Sequence, residues 1–100
     1  MTALMPAGAP IITNFRVLSI SSDTVYFAWD TDRPATSQIK YRLASAVIEE
    51  TTIGDGQFYW QHLATVTGLV ANTDYVMRAL SASTSGLSSE SAPRTVRTRR

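Results

Sequence analysis

His62 is the only histidine in the chain, and there is no cysteine. An imidazole titrates near neutral pH, so His62 is the first residue to weigh as a general base or a metal ligand. Either role needs company that the neighbouring sequence does not supply. The absence of cysteine rules out a disulfide framework and a thiolate metal site. Asp30 and Asp32 flank a polar stretch and invite a calcium reading, but calcium takes about six to eight oxygen ligands. Two carboxylates with Arg33 beside them fit a solvated turn better. Glu49-Glu50 reads as a strand end with solvated charge. Gly54-Asp55-Gly56 lacks both the Gly-Lys-Ser/Thr ending and the following helix of a phosphate loop, and reads as a tight turn. No nucleophile, base and orienting acid can be assembled from these positions. The expectation is therefore no catalytic residue, no cofactor and no metal, with His62 a strand residue partly buried beside Ala64 and Val66.

A second set of residues points to contact instead of chemistry. Phe58-Tyr59-Trp60 places three aromatics in a row. With a side-chain period of two, Phe58 and Trp60 share the face of His62, Ala64 and Val66, and Tyr59 points outward. An outward aromatic beside a turn is a candidate partner contact. Lys40, Arg42 and Arg78 also alternate outward from their strands, and Arg97, Arg99 and Arg100 crowd the end of the chain. Together with Tyr59 they form the candidate partner-binding set. The expected partner is a protein. A formal net charge of +1 gives no global pull toward nucleic acid or a membrane surface. No small-molecule substrate is implied, and no Arg-Gly-Asp integrin motif occurs.

The elements that would carry these residues are short alternating runs separated by turn signals, the mark of an all-β chain. Residues 1–10, rich in Ala, Pro and Gly, read as an extended arm that a neighbour in an assembly would hold in place. They lack the basic start and long apolar stretch of a signal peptide. No apolar run approaches the roughly 20 residues that cross a bilayer. Strands are expected at about Ile11–Ser19, Thr24–Asp30, Ser37–Ala44, Val47–Ile53, Tyr59–Thr67, Thr73–Ala82 and Leu87–Thr98. Asp30–Thr36 is expected as a polar loop, and Pro93 as an edge or bulge in the last strand. Parity assigns Val25, Phe27, Trp29, Ile39, Tyr41, Leu43, Val66, Leu69, Tyr75 and Met77 to the core. Residues 11–98 form one domain and residues 99–100 a basic tail.

Leu69-Val70-Ala71-Asn72-Thr73-Asp74-Tyr75, followed by the alternating Val76-Met77-Arg78-Ala79-Leu80, has the spacing of a tyrosine corner. There the ring enters a sandwich core and the hydroxyl bonds back to the preceding turn. Trp29, closing the run Val25-Tyr26-Phe27-Ala28-Trp29, adds to the pattern. The chain from about Ile12 to Thr98 resembles a fibronectin type III domain. The resemblance implies a seven-stranded antiparallel β-sandwich of immunoglobulin-like topology. The stretch Thr31–Tyr41 together with His62–Leu69 is similar to the fibronectin-like domain that precedes the catalytic domain in purple acid phosphatases. In that family the small domain does no chemistry.

The expected function is thus a non-catalytic binding or structural module and not an enzyme. A component of a larger assembly is expected, such as a capsid-decorating or tail-associated protein of a phage virion. The alternatives are an accessory domain of a secreted phosphatase or polysaccharide hydrolase, or an adhesion-type ectodomain.

Overall fold

The computed structural model describes residues 8–100. The expected arm falls mostly on residues 1–7, which lie outside the described residues. Within them the alternating runs become eight strands: β1 (Ile12–Ile20), β2 (Val25–Ala35), β3 (Gln38–Leu43), β4 (Glu50–Thr51), β5 (Tyr59–Val66), β6 (Asp74–Ala82), β7 (Ser88–Glu90) and β8 (Arg94–Arg97). Every pairing is antiparallel. One sheet has the order β1-β2-β5. The other runs β4-β3-β6, with β7 and β8 lying in succession along the far side of β6. The two form an immunoglobulin-like β-sandwich. The last expected strand is split at Pro93, which has no N–H to give a ladder, so seven runs yield eight strands.

The period of two explains the core. Val25, Phe27 and Trp29 point inward from β2, and Tyr75, Met77 and Ala79 from β6. Ile39 comes from β3, Val66 from β5 and Val96 from β8. Burying each large side chain contributes about 1.5–3 kcal/mol relative to leaving it in water. Phe15 stacks on Phe27 with ring centroids 5.1 Å apart and meets Trp29 edge-on. The Trp29 indole N–H donates to Ser81 Oγ at 2.8 Å, a buried bond that ties β2 to β6 across the sandwich. Without that acceptor the indole would carry an unpaired donor into the core.

The tyrosine corner forms between β5 and β6. The Val70 N–H donates to the Tyr75 hydroxyl at 2.8 Å, while the ring is buried. Gly68 (φ 73°) and Asn72 (φ 56°) take the left-handed conformations the turn requires, and Gly and Asn are the residues that tolerate them best. Thr98 closes the same corner from the other end of the chain. Its hydroxyl donates to the Val70 carbonyl at 2.7 Å and accepts the Thr73 N–H at 3.0 Å. Beyond it, the Arg99 N–H donates to the Ser21 carbonyl, and the Arg99 carbonyl accepts the Asn72 N–H.

Several expectations are corrected. Strand β2 does not stop at Asp30 but continues to Ala35 through a register shift, and Pro34 fits there because the ladder is already interrupted. The expected strand Val47–Ile53 shrinks to Glu50–Thr51. Val47, Ile48 and Ile53 stand exposed because only Lys40 and Tyr41 of β3 find ladder partners there. Leu43 is 38% exposed. It ends β3 just as the chain turns back, with the Ala46 N–H donating to its carbonyl. Tyr41 is half-buried, packed against the core edge. Phe58 and Trp60 are exposed, not inward. The β2–β5 register slips beyond Gln61, so no inner face covers them.

Candidate functional site

His62 is 1% exposed, deeper than expected. Its ring lies flat against Trp29, with centroids 5.1 Å apart and planes 6° from parallel. Thr31 Oγ1 sits 2.9 Å from Nε2 and Ser37 Oγ 2.7 Å from Nδ1. The Thr31 hydroxyl donates to the Arg33 carbonyl at 2.7 Å, so its oxygen is left to accept from Nε2–H. Ser37 must then donate to Nδ1. Burial holds the imidazole below its ordinary pKa, with the Asp30 charge opposing. A hydroxyl donating to a neutral imidazole is one half of a nucleophile–base pair. The other half, a carboxylate to steady the imidazolium, is replaced by Thr31, which offers no charge. The arrangement fills the core as a satisfied polar plug.

The acidic candidates are also committed to local structure. Asp32 accepts the Ile11 N–H at 2.8 Å and pairs with Arg33. The bond from Arg33, then that from Ile11, holds its carboxyl below the usual range. Asp30 accepts a long bond of 3.5 Å from Asn14. Among the described residues no group of three or more His, Cys, Asp or Glu side chains converges as a metal site would require. Asp55 shapes the turn before β5, accepting the Gln57 N–H at 2.8 Å and the Tyr59 hydroxyl at 2.6 Å. That hydroxyl bond lowers the Asp55 pKa and raises that of Tyr59.

The basic candidates separate into groups. Lys40 and Arg78 are cross-strand neighbours on β3 and β6 and share one face, as parity requires. Glu90 and Glu49 sit between them: Lys40 Nζ lies 2.8 Å from Glu90 and 3.6 Å from Glu49, and Arg78 lies 3.3 Å and 3.7 Å from the same two. The hydrogen bond between them raises the Lys40 pKa and lowers that of Glu90. Two cations and two anions leave this cluster without net charge. Arg42 turns onto the loop after β3, donating to the carbonyls of Leu43, Ala44 and Ala46. Arg97 pairs with Asp74 at 3.1 Å, and Arg99 Nε donates to the Ile20 carbonyl at 3.0 Å. Arg100 is exposed. Tyr59 is placed apart from all of them, on β5.

Among the described residues, the longest unbroken exposed run of large apolar side chains leads into β5. Phe58, Tyr59, Trp60 and Leu63 are all exposed, with Leu63 at 73% and Trp60 at 58%. Across from them Ile53 is 97% exposed. Between β5 and the chain leading into it lies an open groove of about 450 Å3, lined by Ile53, Tyr59, Gln61, Leu63 and Thr65 and reached by Ser37. Sequence parity singled out Tyr59 and missed Leu63 and Ile53. One signal was available: no Asp, Glu, Lys or Arg occurs between Asp55 and Asp74.

The fibronectin type III family model matches residues 9–97. The chain belongs to the fibronectin type III family. Domains of this family are typically non-catalytic modules that commonly contact other proteins. No curated protein sequence matches significantly. Among solved structures, one titled "Myokine structure" is 20% identical, with a TM-score of 0.75 over 93% of this chain and 98% of its own. The chicken CNTN1 FN1–FN3 domains are 19% identical, with a TM-score of 0.69 over 95% of this chain and 33% of theirs. Domains A168–A170 of titin are 20% identical, with a TM-score of 0.71 over 93% of this chain and 32% of theirs. The chain thus spans about a third of the length of those two three-domain fragments. Identities this low speak for a shared fibronectin type III fold and for nothing finer. Among the described residues no helix is long and apolar enough to cross a membrane.

Proposed function

We propose that this fibronectin type III domain is a non-catalytic interaction module that docks a protein partner through the β5 side of the sandwich. The observation that carries this reading is the exposed, uncharged run Phe58-Tyr59-Trp60 with Leu63 and Ile53 beside it. Tyr59 and Leu63 line the groove with Ile53 on one side of the strand, and Phe58 and Trp60 stand exposed on the other; exposed apolar residues grouped in this way mark contact sites, and aromatic residues dominate the energetics of such sites. Lys40 and Arg78 already have acidic partners within the domain, and Arg42 already donates to loop carbonyls, so none of them serves as an anchor. Arg97, Arg99 and Arg100 form a separate basic contact near the chain end, in which Arg97 is already paired with Asp74. The narrower placement is a component of a larger assembly such as a phage virion. A cysteine-free fold whose stability does not depend on redox state supports it. A second reading, one module of a longer adhesion-type or accessory chain, draws on the tandem-domain fragments among the similar structures.

A photo-crosslinking residue in place of Trp60 tests the docking side in cells that make the protein. Position 45, exposed in the loop after β3, is the control. Crosslinks from position 60 and not from position 45 are expected. Equal capture at both positions, or turnover of phosphate or ester substrates by the purified protein, overturns the reading.

A further inference from the structure

Strand β5 is an edge strand. It pairs with β2 on one side, and among the described residues no strand or loop backbone hydrogen bond covers the other. Such an edge presents a row of free N–H and C=O groups, and proteins usually guard it with charge, proline, bulges or brevity. The other edges of this sandwich are guarded. Strand β1 carries Arg16 and two register shifts. Strand β4 is two residues long and follows Glu49. The β7–β8 edge is interrupted by Pro93 and carries Glu90, Arg94 and Arg97. Strand β5, eight residues of Tyr-Trp-Gln-His-Leu-Ala-Thr-Val, carries no charge and no proline and is not short; its single register shift lies at its first residues, and from Gln61 to Val66 the ladder with β2 is regular.

We propose that the free edge of β5 pairs antiparallel with the same edge of a second copy, joining three strands from each into one continuous sheet. This rests on the reading of the β5 side as the contact surface and names the partner. The argument for a second copy is symmetry. A two-fold axis sets each strand against itself, so a charged edge would meet its own charge; this edge has no charge to repel. Register follows from the side-chain faces. His62 and Val66 point into the core while Leu63 points out, and a continuous sheet must keep outward residues opposite outward residues. The register that sets Leu63 against Leu63 also sets Gln61 against Thr65 and Trp60 against Val66. It covers the most exposed large apolar side chain of β5 with its own copy. The interface closes as a dimer because both unguarded edges are consumed and every remaining edge is protected.

The test is light scattering coupled to gel filtration over about a hundredfold range of concentration. The chain is expected to pass from monomer to dimer mass. Leu63→Lys, an exposed position that leaves the core intact, should raise the dissociation constant at least about tenfold by setting like charges opposite. An equimolar mixture of Leu63→Lys and Leu63→Glu chains should recover the dimer. Leu87→Lys, in the turn before β7, should dimerise as the parent does. Circular dichroism of each variant establishes that it is folded. Monomer mass throughout, or a dimer indifferent to Leu63→Lys, overturns the proposal. If the chain is monomeric while the crosslinker at position 60 captures a different protein, self-pairing falls and the interaction-module reading survives.

Discussion

Tyr75→Phe deletes one oxygen and leaves the ring in the core, which makes it a direct measure of the corner. The bond lost is the 2.8 Å contact from the Val70 N–H. A neutral hydrogen bond contributes about 0.5–1.5 kcal/mol net, and a buried donor left without a partner costs about 1–3 kcal/mol. The Val70 side chain is exposed, so water reaches part of the turn and about 1 kcal/mol is the expected loss. For a domain of this size that corresponds to a fall in Tm of about 4–8 °C. In urea titration the midpoint should drop with the slope unchanged, since no additional surface is exposed in either state. Thr98 holds the carbonyl of the same Val70, so the two ties share a residue. A double-mutant cycle with Thr98→Val should therefore show coupling of about 0.5 kcal/mol or more. A loss below about 0.3 kcal/mol, or additive single effects, would mean the hydroxyl does not hold the turn. The tyrosine-corner reasoning would then be wrong.

Trp29→Ala should cost about 3–5 kcal/mol, since it empties the centre of the core and strands the Ser81 hydroxyl; a loss under about 2 kcal/mol by urea titration contradicts the packing described. Because burial lowers the His62 pKa in the folded state, the unfolded chain binds more protons at mildly acid pH. Stability conferred by the neutral ring should be complete above the unfolded histidine pKa and fall as pH drops from there toward the folded value. His62→Gln should flatten that part of the pH–stability profile, and an unchanged profile would argue against a buried neutral imidazole. Glu90→Gln should lower stability slightly in low salt and not at all in high salt, because the Lys40 and Arg78 pairs are partly exposed; an effect independent of salt would assign Glu90 another role.

The alternation of Val25, Phe27 and Trp29, and of Tyr75, Met77 and Ala79, was enough to set which faces meet, because a strand has only two faces and apolar side chains must share one. The spacing from Leu69 to Tyr75 determined the corner and its hydroxyl bond, because that geometry is local. Local chemistry also decided that Pro93 would break the last strand. Three things were decided only by the tertiary structure. Phe58 and Trp60 have the parity of His62, yet where they sit the register with β2 has slipped and no inner face remains to cover them. Lys40 and Arg78 read as a free basic surface, but Glu49 and Glu90, distant in sequence, come between them once β4 and β7 pair. The missing charges between Asp55 and Asp74 were visible in the chain from the start. They acquired meaning only when β5 became an edge, because whether a strand has one neighbour or two depends on the order of strands in the sheet and not on the strand itself.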